Sequence, residues 1–496
     1  MKHNAQRDSM ALSDDLDKNT ALFKQLFADV DLMQYRPLDG CGRFCLIWSS
    51  GVVDTTMLEE RIIRPVLKNP IPPVAERPLG HLMKHVLEVS SMKLEAGLSE
   101  LVKALCYGDC LLLAEGDNRG LLMESKSFTS RSVTEPEGEK ILSGPREGFS
   151  EVLMENLSML RRKLRTSDLK LKYYHIGRRS NTQLCIAYLD SLVKPNLLAE
   201  LYRRLDRIDM DAVLDSHYLT ELIRDQRMSL FRSTGYTERP DVVAGKLLEG
   251  RIAVFVDGTP VVLTVPYLFI ENFQSSEDYY VNFYAATIAR LLRIFGFLLA
   301  IIIPGLYVAI LCYHQEMLPS SLLIRIAVDS RNVPFPTPVE VFALLVMFDI
   351  LRETGIRMPS GVGQAMSIVG ALVVGSAAVE ADLVSSNVII VTAVSGITTL
   401  LVPKLSTAVP ILRNLLILCS AAMGFYGLML GISFLFIHFL SLVSFGIPQV
   451  DWDSPLRYQA GKDTFIRGPL WLMRERPNRL STDSTRMRTS EKDGSL

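Results

Sequence analysis

Up to about Tyr280 the chain is built of short apolar runs separated by turn formers, and beyond it the apolar runs lengthen several-fold. In the first part CLIWSS reads as a strand and Met57 to Lys68 as a helix, with breakers at Asn69 to Pro73 and at Arg77-Pro78. Leu98 to Leu105 is again helical, and CLLLAEG and GLLMESKSF read as paired strands. The stretch SGPREGFSEVLMENLSMLRRKLR, from Ser143 to Arg165, places Leu153, Leu157, Leu160 and Leu164 on one face of a helix. Ser150 is its expected N-cap, Phe149 and Met154 the flanking apolar pair, and Glu151 the acid at the positive dipole end. LKLKYYHIG and TQLCIAYLD follow as strands and Leu192 to Asp206 as a helix. A helix from Asp241 to Leu248, closed by Gly250, precedes IAVFVDGTPVVLTV. There Asp257-Gly258 between β-branched runs predicts a type I′ hairpin, with φ > 0 at both positions.

Past Tyr280, Ile294 to Cys312 is nearly free of charge and, at about 1.5 Å per residue, long enough to cross roughly 30 Å of hydrocarbon, with a kink expected at Pro304-Gly305. Gln364 to Val379 and Val384 to Val402 form a second and third run, joined by a tight turn at Glu380 and Asp382. Val409 to Phe445 exceeds one span and reads either as two helices broken near Gly424 to Gly431 or as one long tilted helix, giving four to five spans. Arg290 and Arg293 flank the first span, and Arg457, Lys462, Arg467, Arg474, Arg476 and Arg479 crowd the tail, so both ends are expected inside and an even count is favoured.

This pattern divides the chain into five parts. Residues 1–36 read as a flexible polar arm, 37–145 and 146–285 as two soluble α/β subdomains, 286–450 as a helical membrane domain, and 451–496 as a cytoplasmic, largely disordered tail. Composition agrees: a mean hydropathy of +0.22 beside 22% charged residues suits a soluble part joined to a very apolar one. A formal net charge of -1 offers no global attraction to nucleic acid. No apolar run follows the first charges, so no cleavable signal peptide is expected. Among seven cysteines the pairs Cys41/Cys45 and Cys106/Cys110 have three residues between partners, unlike redox and zinc motifs, and all seven read as reduced structural thiols.

The candidate chemistry is sparse. Gly144 and Gly148 lack the Lys and Ser/Thr of a phosphate-binding loop, and the basic cluster from Arg161 to Arg165 suits a helix C-terminus. No Ser/His/Asp set, carboxylate pair or metal spacing points to an enzyme or a cofactor. An amphipathic helix near 339–353 carries the membrane-adjacent acids Glu340, Asp349 and Glu353, either buried for function or kept wet at the interface with Arg352 or Arg357 as partner. Ser367, Ala371 and Gly375 follow the small-xxx-small spacing of packed helices. Thr392, Ser395 and Thr399, with Gly396 between them, form a mildly polar stripe that either lines a pore or satisfies its own helix, and Val391 and Val394 beside it are candidates for a dewetting gate. His438 reads as a packed or snorkelling residue.

Several long motifs, in order from about Pro78 to Pro448, are similar to those of the A subunits of GerA-class spore germinant receptors. They are EPEGE, GPREGFSE with Asn156 and LRRKLR, TERPD, LLEGRIAVFVDGTP, SSEDYY, VPFPTPVEVFALLVMFDILRETGIRMP and SIVGALVVGSAAVEADLVSSNVIIV. Gly144, Pro145, Arg146, Gly148, Phe149, Asp257 and Gly258 are the structural residues of these motifs. The resemblance implies an integral protein of the spore inner membrane. It implies a transporter-like, nutrient-sensing B subunit and a C-subunit lipoprotein as partners, and a pentamer-like homo-oligomer forming a ligand-gated ion channel. A secondary-transporter-like subunit, a stage V AF-type sporulation paralogue involved in ion release, and a membrane-tethered enzyme remain as alternatives.

Overall fold

The computed structural model describes residues 12–39, 42–69, 77–126, 136, 138–357, 375–450, 463–477, 479–483 and 485–486. The first half is α/β. Its first sheet contains β1 (Met33–Asp39), β2 (Arg43–Ser49), β3 (Met92–Glu95), β4 (Cys110–Ala114) and β5 (Gly120–Met123), all pairs antiparallel, in the order β1-β2-β4-β5-β3. CLLLA in β4 is buried at every position, because helices cover both faces. The helical run 55–68 and α2 (Pro78–His85) lie on one side, α1 (Leu16–Leu26) and α3 (Leu98–Tyr107) on the other.

The second sheet repeats this plan. It contains β6 (Leu169–Ile176), β7 (Thr182–Leu189), β8 (Gly235–Thr237), β9 (Ile252–Val256) and β10 (Val262–Val265) in the order β6-β7-β9-β10-β8. Helices α5 (Pro195–Leu205) and α6 (Ser216–Ile223) fall between its second and third strands, and α7 (Pro240–Leu248) before its last hairpin, as the run 55–68, α2 and α3 do in the first. Glycines with positive φ recur at matching places: Gly108 and Gly250 after α3 and α7, Gly116 and Gly258 in the last hairpin turns. Helix α4 (Leu153–Lys163) lies between the repeats, where Ile47 and Leu113 of the first sheet and Leu171, Ala187 and Phe255 of the second share one core with Leu105, Leu157 and Val243.

Two local expectations are corrected. Helix α4 begins at Leu153, three residues after Ser150, and its first free amide, Leu153 N, donates to Asp257 Oδ1 at 3.2 Å. Gly258 N donates to Glu151 O at 2.9 Å, so the turn of the second sheet caps the helix from 104 residues away. Ser150 is instead held by Asn156, whose side chain bonds both its amide and its carbonyl. The turn is not type I′: Leu263 lies opposite Val254, leaving a longer loop, and of the two central residues only Gly258 has positive φ (89°). No atom lies within 4 Å of a Cβ added there, so Gly258→Val brings backbone strain without a clash, on the order of 1–3 kcal/mol. We expect it to lower the amount of folded protein, and Gly258→Asn to be milder; normal abundance of the valine variant would reject this.

The flexible-arm reading of residues 1–36 fails from residue 12 onward. Asp15 caps α1 by accepting from Asp17 N and Lys18 N, and Leu16, Phe23 and Phe27 enter the shared core. A helix this short is marginal alone and gains its stability from that burial.

The second half is a helical bundle: α8 (Phe283–Tyr313), α9 (Ser320–Ser330), α10 (Thr337–Arg357), α11 (Ser386–Leu400) and α12 (Ala408–Ser441). Helix α8, with Pro304 inside it, is roughly 46 Å long, ample for a bilayer. The run α12 reverses at Gly424 (φ 60°, ψ -138°), making two antiparallel arms, 408–423 and 425–441. The contact of Gly431 with Leu416 and Cys419 across the arms shows the reversal, and the Tyr313 hydroxyl at the end of α8 closes the tip by donating to Ala421 O at 2.7 Å. Ile288, Phe295, Ile390, Ile397, Leu418, Phe434 and Ile437 are exposed on the outer faces, a surface suited to lipid.

Helix α10 packs into the bundle through Val341 and Leu345, which are fully buried against α8, α11 and α12. Residues 463–483 of the tail, expected disordered, pack on the soluble half where they are described: Arg476 donates to Leu248 O and Thr482 N to Leu192 O, and Leu480 is buried. Soluble half and tail therefore share one side of the bundle. Cys45 and Cys106 lie in the shared core and Cys110 on the opposite face of its sheet, none of the three in a disulfide, while Cys41 lies outside the described residues.

Candidate functional site

Arg413, on the first arm of α12, is fully buried within the bundle. Its Nη2 pairs with Asp349 Oδ2 of α10, and its Nη1 lies 3.4 Å from the hydroxyl of Ser395 on α11. Ser395 in turn donates to the carbonyl of Ala300 on α8 at 2.8 Å, so one polar group from each of four helices meets here. Arg413 Nε, Asp349 Oδ1, Asn414 Oδ1 and Ser420 Oγ are buried without a partner among the described residues. Such atoms carry a desolvation cost unless water reaches them, so together they mark a polar seam in an apolar bundle. An ion pair in this setting survives only by its geometry, since taking each charge out of water costs several kcal/mol, of the order expected for buried ions.

The sequence candidates map onto this seam unevenly. Thr392, Ser395 and Thr399 are buried and face into the chain's own bundle; Thr392 donates to Ile389 O and Thr399 to Ser395 O of the same helix. Val391 and Val394 are half-buried on the adjoining face. Gly396 allows α10 to approach, since a Cβ there would meet the Phe348 ring at 2.5 Å. Of the three acids, Asp349 joins Arg413, Glu340 is buried and accepts from Ser385 N, and Glu353 is exposed and pairs with Arg357 at 2.7 Å. Glu340 and Asp349 are therefore not kept wet beside Arg352 or Arg357, whereas Glu353 has Arg357 as its partner. Gly375 has nothing within 4 Å of an added Cβ, while Ser367 and Ala371 lie outside the described residues.

A second polar cluster joins the sheets to the bundle. Lys404, in the turn between α11 and α12, donates to the carbonyls of Glu271 (3.1 Å) and Gln274 (3.3 Å). The buried Glu271 carboxylate is shared by Lys246 and Arg251. Burial pushes the Lys404 ammonium below its ordinary value. Burial, then Arg251 and Lys404, push Lys246 down as well, since one carboxylate serving two cations leaves it under-compensated. Beside this cluster Arg290 and Arg293 at the start of α8 hold Asp278, and Arg290 also holds Asp463 of the tail. Burial raises the Asp463 carboxyl although Arg290 opposes it.

The motif residues are structural in placement. A Cβ on Gly144 (φ 122°) would strike the Tyr280 ring, Pro145 O accepts from Arg239 at 2.7 Å, Arg146 is exposed, Gly148 is buried, and Phe149 stacks edge-on against Phe255. Arg413 and Lys404 were missed by pattern reading. Their signal was present as one arginine inside an apolar run and one lysine in its flanking turn, the kind of intramembrane charge that is expensive to keep.

Duplicated α/β units are joined here to a helical bundle in which two helical runs, Phe283–Tyr313 and Ala408–Ser441, are long and apolar enough to cross a membrane, an arrangement that fits a helical membrane domain with an α/β head. Among the described residues no group of His, Cys, Asp and Glu is placed to hold a metal ion. The chain belongs to the GerA family, described as Bacillus/Clostridium GerA spore germination protein, which matches residues 21–479. It is 39% identical over 440 residues to spore germination protein KA of Bacillus subtilis (strain 168), covering 88% of this chain and 81% of that protein. It is 36% identical over 466 residues to the uncharacterized membrane protein YfkQ of the same organism, covering 94% and 90%. The crystal structure of the N-terminal domain of the A subunit of the Bacillus megaterium spore germinant receptor GerK3 aligns with 28% identity and a TM-score of 0.40, over 52% of this chain and 98% of that one.

Proposed function

We infer that the chain is the A subunit of a nutrient germinant receptor of the spore inner membrane, with both soluble ends on the cytoplasmic side. In this reading several copies form a ligand-gated ion channel, and a transporter-like B subunit and a lipoprotein C subunit complete the receptor. The observation that carries it is the Arg413, Asp349 and Ser395 seam, a charged and hydroxyl-lined interior in helices whose outer faces suit lipid. The junction at Lys404 and Glu271 supports a route by which movement of the sheets reaches the turn between α11 and α12. Glu271 and Lys404 are each held there by several bonds.

Single-channel recording of the purified protein, with and without its partner subunits, tests the reading. Nutrient-dependent unit currents are expected with the partners present. Val394→Ser, which wets a half-buried position beside the seam, is expected to raise nutrient-independent current at normal abundance. Slow, saturating flux without unit currents would favour the transporter-like alternative, and a silent complete complex would reject conduction.

A further inference from the structure

The loop Asp225–Phe231 is built where the second sheet meets the bundle. Gln226 Nε2 donates to Ser441 O at 2.8 Å, and Ser229 Oγ lies 3.2 Å from His438 Nε2, so the loop sits level with the last turn of α12. Its shape is fixed from within. Arg224 bonds the carbonyls of Ser229 and Phe231, Asp225 pairs with Arg204 at 2.7 Å and accepts from Phe445 N, and Phe231 wedges among Phe269, Phe439 and His438. Despite this bracing its apex presents apolar side chains outward: Met228 is 96% exposed and Leu230 is 43% exposed, beside an exposed Arg227.

An apolar apex held rigidly in water gains nothing, whereas at a bilayer surface it gains the transfer energy of both side chains. The neighbouring exposed residues of α12, Ile437 and Leu440, continue the same surface into the lipid-facing side of the bundle. We propose that this loop is a lipid-binding foot, seating Met228 and Leu230 in the headgroup layer of the surrounding bilayer with Arg227 on anionic phosphates. The foot sets the height of the second sheet above the membrane. It requires only that the bundle lies in a bilayer, so it stands or falls separately from ion conduction.

Met228→Trp, in a chain whose Trp48, Trp452 and Trp471 are replaced by Phe, tests it in the full-length protein reconstituted in anionic vesicles. Lipids brominated just below the ester linkage should quench its fluorescence several-fold more than that of Leu67→Trp, an exposed site on the helical run 55–68 that covers the first sheet. Leu230→Trp gives a second reading if the first variant folds poorly. Arg227→Glu should reduce the lipid quenching in anionic vesicles and leave it unchanged in zwitterionic ones. Quenching by aqueous acrylamide equal to that of Leu67→Trp, with none from the lipid, would place the loop in water and overturn the proposal. Shielding from both quenchers would overturn it equally, by showing another protein surface over the loop.

Discussion

Asp349→Ala is expected to remove most of the protein from the membrane, and Arg413→Met to remove less. The alanine leaves a guanidinium fully buried with Ser395 Oγ and Leu345 O as its remaining partners among the described residues, and breaking one half of a buried pair costs on the order of 3–5 kcal/mol. The methionine leaves a carboxyl that is partly exposed, so it loses less hydration than the fully buried guanidinium that the alanine strands. The double variant Arg413→Met/Asp349→Leu should recover abundance, because apolar groups of similar volume replace an ion pair at little or no cost. Immunoblots of membranes carrying the three variants measure this order. A double variant as scarce as Asp349→Ala would show that the seam is needed for folding itself. Recovered abundance with ion release that is lost or constitutive would instead place the pair in the conducting mechanism.

The reversal in α12 makes an equally large prediction. A Cβ on Gly427 would lie 2.1 Å from the carbonyl oxygen of Cys419 on the facing arm, a backbone atom with no room to give. Gly427→Ala is therefore expected to split the arms and deplete the protein. Gly424→Ala should do so as well, since φ 60° with ψ -138° is a region essentially closed to residues with a side chain and its Cβ would enter the Tyr313 ring. The positive test is a cross-link: an added Cβ at Gly431 lies 3.6 Å from Cys419 Cβ, within the roughly 3.5–4.5 Å of disulfides. Gly431→Cys, with Cys312 replaced by Ser, should protect Cys419 from thiol labelling on oxidation and release it on reduction. In one unbroken helix these positions would stand roughly 18 Å apart, and labelling would not change.

Much of the fold was legible because local pattern and tertiary need agreed. The leucine stripe of α4, the apolar runs of β4 and β9, and the long apolar helices each state their own burial, as amphipathic and continuous hydrophobic segments do. The resemblance carried by the long motifs led to the family shown by the match over residues 21–479. The repeat of strand order in the two sheets was invisible, since a plan of connections leaves no residue period when the side chains differ.

By itself, then, the amino-acid sequence determined the two-part character of this protein, most of its helices and strands, and the family to which it belongs. The partners of its polar residues were decided only in three dimensions. Ser150 is an acceptable cap by rule, yet Asp257 accepts the first free amide of α4 because the second sheet brings it there. Phe23 and Phe27 look like a stray patch until two sheets close over them. Asp349 finds Arg413 across 64 residues rather than a neighbour one turn away, because a charge inside an apolar bundle is stable only beside its opposite, and helix packing alone settles which opposite is near.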